Sequence, residues 1–137
     1  FIALIAMLNG IFSGLFGGTT FQEVLGYVFS PFAYLTGIPW DESIAAGKFM
    51  ATKLVSNEIV AMLQLTGSDD DLSERPIAIV STFLVSFANF SSIGIVAGAV
   101  RSLKEKQGVN VARFGLRLLY GATLVSFISA TVVGLIY

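Results

Sequence analysis

Three stretches of this chain carry no charged side chain: residues 1–22, 76–100 and 118–137. Each is close to the ~20 residues over which a helix rises ~30 Å and crosses the hydrocarbon core of a bilayer. A backbone in lipid must pair its own polar groups, so these runs predict helices. In the first, over residues 1–17, Gly10 and Gly14 lie four apart, as do Gly14 and Gly18, a small-residue face that permits close helix approach. Phe21, Val24, Leu25, Val28, Phe29 and Phe32 then recur at spacings of three and four, with Gln22, Glu23 and Ser30 off the stripe. This predicts an amphipathic helix at the membrane interface, bent or interrupted near Pro31, with Trp40 as an interfacial anchor.

Residues 43–67 break the pattern. They are apolar enough to enter a membrane, yet Lys48, Lys53, Asn57 and Glu58 interrupt them. Two arms too short to span, joined by a polar tip, predict a re-entrant hairpin buried in protein or lining a cavity, with both ends on the same side. Residues 74–100 predict a discontinuous helix. Ser73 or Asp71 is placed to cap it and Pro76 is tolerated in its first turn, but Asn89, Ser91, Ser92 and Gly94 weaken its middle. Residues 112–137 predict a plain closing span. The expected class is an all-α integral membrane protein of transmembrane helices, a re-entrant helical hairpin and a discontinuous helix.

Composition supports a membrane environment: 55% of the residues are hydrophobic and 12% charged, against about 25% charged in soluble domains. With neither cysteine nor histidine, disulfides, thiol nucleophiles and histidine metal sites are excluded. Residue 1 lies inside an apolar run with no basic region before it, so the opening does not resemble a signal peptide and the chain reads as a segment of something longer. Five of eight basic residues, Arg101, Lys104, Lys106, Arg113 and Arg117, lie between the second and third runs, whereas residues 68–74 are acidic. The positive-inside rule places the basic loop in the cytoplasm and the acidic loop outside, in a multi-pass protein of the cytoplasmic membrane. Topology alone accounts for the basic residues, so no nucleic-acid partner is expected.

Glu58 is the most informative side chain, because an ionisable group at membrane depth is by default a functional hypothesis. A carboxylate offers only acceptors and suits a donor pair such as a sugar diol. The alternative is a structural ion pair with Lys53. Asn89 and Ser92, three apart, add an amide and a hydroxyl on one side of the helix break; their alternative role is bonding between helices. Phe87 and Phe90 could pack on a planar ring, or simply face lipid or core. Two further patterns carry no chemistry here: Asn89-Phe90-Ser91 fits a glycosylation sequon at an inaccessible depth, and the Gly94–Gly98 spacing is read as helix packing.

Thr52-Lys53-Leu54-Val55-Ser56-Asn57-Glu58-Ile59-Val60-Ala61-Met62 resembles the Lys-x-x-x-Asn-Glu-Phe-Val-Ala-Tyr motif of concentrative nucleoside transporters. Ser86-Phe87-Ala88-Asn89-Phe90-Ser91-Ser92-Ile93-Gly94 is similar to their Gly-Phe-Ala-Asn-Phe-Ser-Ser-Ile-Gly signature, and Gly115-Leu116-Arg117 to a later element. The resemblance covers essentially the whole chain and implies the C-terminal half of a cation-coupled nucleoside symporter, homotrimeric and of the elevator type. It further implies half of an inverted-repeat transporter, with residues 1–42 as a scaffold span and interfacial helix and residues 43–137 as one half of a transport domain. By matching position it implies that Glu58, Asn89 and Ser92 contact the ribose and that Phe87 lies near the nucleoside. Asn57, Lys53 and Ser91 would support them. No cofactor is implied; the coupling ion, Na+ or H+, would bind mainly outside this segment, which holds no metal site of its own. Ile59, Met62, Ala51 and Ser86 depart from the motifs, in a pattern resembling bacterial branches.

Two other readings stand beside this one. An intramembrane enzyme using Glu58 lacks a second carboxylate at depth and any His-Glu-x-x-His or Gly-x-Ser-x-Gly pattern. A gating or structural subunit would tolerate replacement of Glu58.

Overall fold

The computed structural model describes residues 2–67 and 72–137; Asp71, one of the two capping candidates, lies outside them. The described residues form seven helices: α1 (Ile2–Leu15), α2 (Phe21–Leu35), α3 (Ser43–Val55), α4 (Glu58–Gly67), α5 (Glu74–Leu84), α6 (Phe90–Leu103) and α7 (Glu105–Ile136). Among them only α7, at 32 residues, is long and apolar enough to cross a membrane by itself. At 1.5 Å per residue α5 and α6 rise only about 16 and 21 Å, short of a ~30 Å core.

α3 is the centre of the fold, packing on α2, α4, α5 and α6. Its Ala46, Phe49 and Met50 join Ala33, Ile79, Val80, Phe83, Leu84 and Ala130 in the core. Phe83 and Phe127 close that core between α5 and α7, with ring centroids 4.7 Å apart.

α2 begins with a capping box: Glu23 N–H donates to Thr20 Oγ1, and Thr20 N–H to Glu23 Oε2. It runs unbroken through Pro31. Its buried positions are Gly26, Ser30 and Ala33, while Val28 and Phe32 of the apolar stripe are exposed. Small residues make the closest inter-helix contact, as in packing where lipid supplies no hydrophobic drive between helices, with Phe29 packed beside them against the core. A side chain at Gly47 of α3 would put its first carbon 2.6 Å from the Gly26 carbonyl oxygen, so the two backbones touch. Beside that contact, Ser30 Oγ and Ser43 Oγ are 2.8 Å apart.

Nothing lies within 4 Å of a side chain added at Gly10, Gly14, Gly18 or Gly98, so those faces stand open among the described residues, while Gly26, Gly47, Gly108, Gly115 and Gly134 meet close neighbours. Two local expectations are revised. Ser73 is the N-cap residue of α5 but makes no side-chain cap bond. The third residue of that helix is Pro76, which has no N–H to offer. Instead Ser73 donates from both N and Oγ to the Glu42 carboxylate, at 2.7 and 2.8 Å. The basic stretch is helical rather than a loop: Lys106, Arg113 and Arg117 stand on α7, which begins seven residues before the expected closing span.

Large apolar side chains are exposed along much of the molecule, among them Leu15, Leu63, Ile95, Leu118, Val125 and Leu135. Apolar exposure on this scale marks surfaces that meet lipid or other protein.

Candidate functional site

The site lies where two helix starts meet. α3 ends at Val55 with Ser56 as its C-cap, whose backbone (φ −102, ψ −97) leaves the helical region, and α4 begins two residues after Ser56 at Glu58. Asn57 caps α4, accepting at Oδ1 from Val60 N–H at 2.9 Å. The second interruption, residues 85–89, separates α5 from α6. Asn89 there is extended (φ −150, ψ 162) and caps α6 the same way, accepting at Oδ1 from Ser92 N–H at 2.7 Å.

That cap fixes which way the Asn89 amide points. The atom facing the Ser92 N–H must be oxygen, so Nδ2 faces the other way and must donate. It donates to Glu58 Oε2 at 2.8 Å and, more weakly, to the Phe87 carbonyl at 3.4 Å. Asn89 is 1% exposed, so this bridge is buried at its amide end while Glu58 is half-buried. A carboxylate has about four acceptor positions, and the contact with Asn89 occupies one of them. Glu58 stands in the first turn of α4 beside the capped start of α6. The partial positive ends of both helices favour a carboxylate there.

The remaining sequence candidates fall around this bridge. Ser92 and Ser91 lie half-buried in the first turn of α6. Phe87, Asn89 and Ser92 line a mostly apolar cleft of about 260 Å³ between α6 and α7, opposite Phe114 and Leu118. Phe87 is largely exposed. Phe90 is exposed too, and lines a different cleft, with Leu4, Phe21 and Leu116. The Ser56 hydroxyl is buried without a hydrogen-bond partner among the described residues.

Lys53 and Glu58, weighed as an ion pair from the sequence, act on each other electrostatically, but the direct contacts of the ammonium lie elsewhere. It is fully buried in the last turns of α3, and its ammonium donates to Ser86 Oγ at 2.7 Å and Ser126 Oγ at 3.4 Å. The Phe83 ring lies 4.5 Å from the same ammonium. Sequence reasoning missed both serines as participants. Ser86 had a signal, as a departure from the motif; Ser126, one hydroxyl in an apolar span, had little. Among the described residues no group of three acidic, histidine or cysteine side chains is placed to hold a metal ion.

Residues 1–134 match the family model described as the C-terminus of the Na+ dependent nucleoside transporters. The chain belongs to that family, the concentrative nucleoside transporters. It is 41% identical over 140 residues to the uncharacterized transporter YutK of Bacillus subtilis, covering 98% of this chain and 35% of the relative. It is 38% identical to the purine nucleoside transport protein NupG of Bacillus subtilis, covering 98% and 34%. Sodium/nucleoside cotransporter 1 of Oryctolagus cuniculus is 31% identical over 157 residues, covering all of this chain and 24% of that protein. Among solved structures, CNTnw in an inward-facing substrate-bound state superposes with a TM-score of 0.83 at 37% identity, covering 98% of this chain and 33% of that one. The relatives and structural neighbours are transporters rather than enzymes. The chain spans about a third of the length of the bacterial relatives it matches.

Proposed function

We propose that this chain forms the C-terminal transport-domain segment of a cation-coupled nucleoside symporter, Na+ or H+ being the coupling ion, and that Glu58, Asn89 and Ser92 bind the ribose. The observation that carries the reading is the Asn89 Nδ2–Glu58 Oε2 bridge. It sets a carboxylate with acceptor capacity to spare at the meeting point of two helix starts, beside the Ser92 hydroxyl and the apolar wall of Phe87. Half-helix ends converging on a polar group near the midplane are a common transporter plan. Here α3 and α4 act as a re-entrant hairpin, α5 and α6 as a discontinuous helix, and α7 as the closing span.

In the mechanism, a ribose diol donates both hydroxyls to the Glu58 carboxylate. Asn89 keeps one amide hydrogen on Glu58 and its oxygen on Ser92 N–H, so the acceptor is oriented before the solute arrives, while its second amide hydrogen and the Ser92 hydroxyl donate to ribose oxygens. Phe87 offers an exposed ring to the planar part of the solute. The loaded segment then moves as a body against a fixed scaffold, in the elevator manner, within a homotrimer of the full-length protein in the cytoplasmic membrane.

The test is uptake of labelled uridine and adenosine by the full-length parent, with and without a sodium gradient. Glu58→Gln keeps the shape but replaces one acceptor with a donor. Removing a charge-assisted bond of ~1.5–3 kcal/mol predicts a fall in uptake of roughly tenfold or more at unchanged membrane insertion. Normal uptake by that variant would show Glu58 to be structural; no uptake by the wild type under any gradient would overturn the transport reading itself.

A further inference from the structure

The buried ammonium of Lys53 heads a hydrogen-bonded chain whose direction can be worked out. Ser126 Oγ lies 3.0 Å from the Ala122 carbonyl, which only accepts, so the Ser126 hydroxyl donates there. The 2.7 Å contact between Ser86 Oγ and Ser126 Oγ then requires Ser86 to donate. Ser86 is left to accept, and what it accepts is the Lys53 ammonium proton at 2.7 Å. The sequence Lys53 N–H to Ser86 O–H to Ser126 O–H to Ala122 C=O spends each hydroxyl proton once.

This bonded series ties the last turns of α3 to the 85–89 interruption, which the candidate site joins to the start of α4. Lys53 lies five residues before Glu58, and Ser86 three before Asn89. One cross-link, 58 to 89, carries the groups proposed for the solute; the other, 53 to 86, continues into the backbone of α7. An unpartnered ammonium at this depth would be strongly unfavourable, so the second link resists being broken. Ser86 stands where the family signature reads Gly, which could supply no middle hydroxyl.

We propose that Lys53, Ser86 and Ser126 are positioning residues that hold the 85–89 interruption in register, keeping the Asn89 amide aimed at Glu58. Ser86 thereby sharpens discrimination by sugar hydroxyls in this protein. The inference rests on the reading of Glu58 and Asn89 as ribose contacts.

The experiment compares KM and maximal uptake for labelled uridine and 2′,3′-dideoxyuridine in the full-length parent, normalised to inserted protein. Ser86→Ala should raise the uridine KM by roughly tenfold, the loss expected for a bond to a charged group. The dideoxy KM should change little, so the ratio between the two collapses. Ser86→Thr retains a hydroxyl and should retain the ratio. Ser126→Ala should shift it in the same direction, and decides the matter if Ser86→Ala fails to insert. Glu58→Gln is the reference: if it leaves the ratio intact, the ribose reading has failed. If it collapses the ratio while Ser86→Ala and Ser126→Ala depress both substrates equally, or neither, the positioning role is overturned.

Discussion

Asn57 and Asn89 perform the same local task with different reach. Each precedes a helix by one residue, and each turns its side-chain oxygen onto the backbone N–H three residues on, at 2.9 and 2.7 Å. In the first case the chemistry passes to the next residue, Glu58. In the second the following residue is Phe90, and the asparagine carries the chemistry itself through its amide nitrogen. A side chain with separate donor and acceptor ends can begin a helix with one and address a neighbour with the other. Serine, which also caps well, cannot span both distances.

The sharpest break in that comparison is Asn89→Asp. The carboxylate still caps α6, but it removes the donor and sets a second negative charge against Glu58. Uptake of uridine by the full-length parent should fall on the order of a hundredfold. Asn89→Ser keeps a capping hydroxyl and adds no charge, so the loss should be nearer tenfold. The same replacement at the other cap, Asn57→Ser, should leave uptake close to wild type and shift thermal stability of the solubilised protein by less than ~0.5 kcal/mol. Equal losses from the two serine variants would mean that Asn57 also addresses the solute.

Much of this arrangement is legible in the sequence, and the illegible parts share a cause. The polar tip at Asn57-Glu58 and the weak centre around Asn89 stand out because charge and amide groups are rare in apolar runs. The spacing of three between Asn89 and Ser92 is a capping interval as much as a helical one. Lys53 was harder to place, because nearness along the chain suggested Glu58. The turn at Ser56 instead leaves Lys53 inside α3, reaching toward α5 and α7. The basic stretch after residue 100 looked like a loop because charge reports topology rather than conformation. Lys, Arg, Glu, Gln and Ala are all good helix formers, and Gly108 lets α7 start against the backbone of Arg101. Which glycines bring helices together depends on partners distant in sequence, so the regular Gly10–Gly14–Gly18 series gave no guide to Gly26 and Gly47.

Under the proposed motion, the contact between Gly26 and Gly47 bears on how this segment would divide. Two backbones in van der Waals contact have no lubricating layer of side chains. The Ile44 carbonyl oxygen and Lys48 Cβ already stand 3.1 and 3.2 Å from where a side chain at Gly26 would begin, so shear between the helices meets steric resistance at once. α2 and α3 are therefore expected to travel as one rigid body, although a boundary at residue 42 would part them. The weaker join lies earlier. α1 and α2 are linked by the Asn9–Phe21 hydrogen bond and the Phe12–Phe21 ring contact, across a turn in which Gly17 and Gly18 hold φ of 65° and 104° with open space around them. Gly18 N–H is bonded to the Ser13 carbonyl at 2.9 Å, so this turn is a glycine C-cap of α1, and under the proposed motion a seam is expected there rather than between α2 and α3.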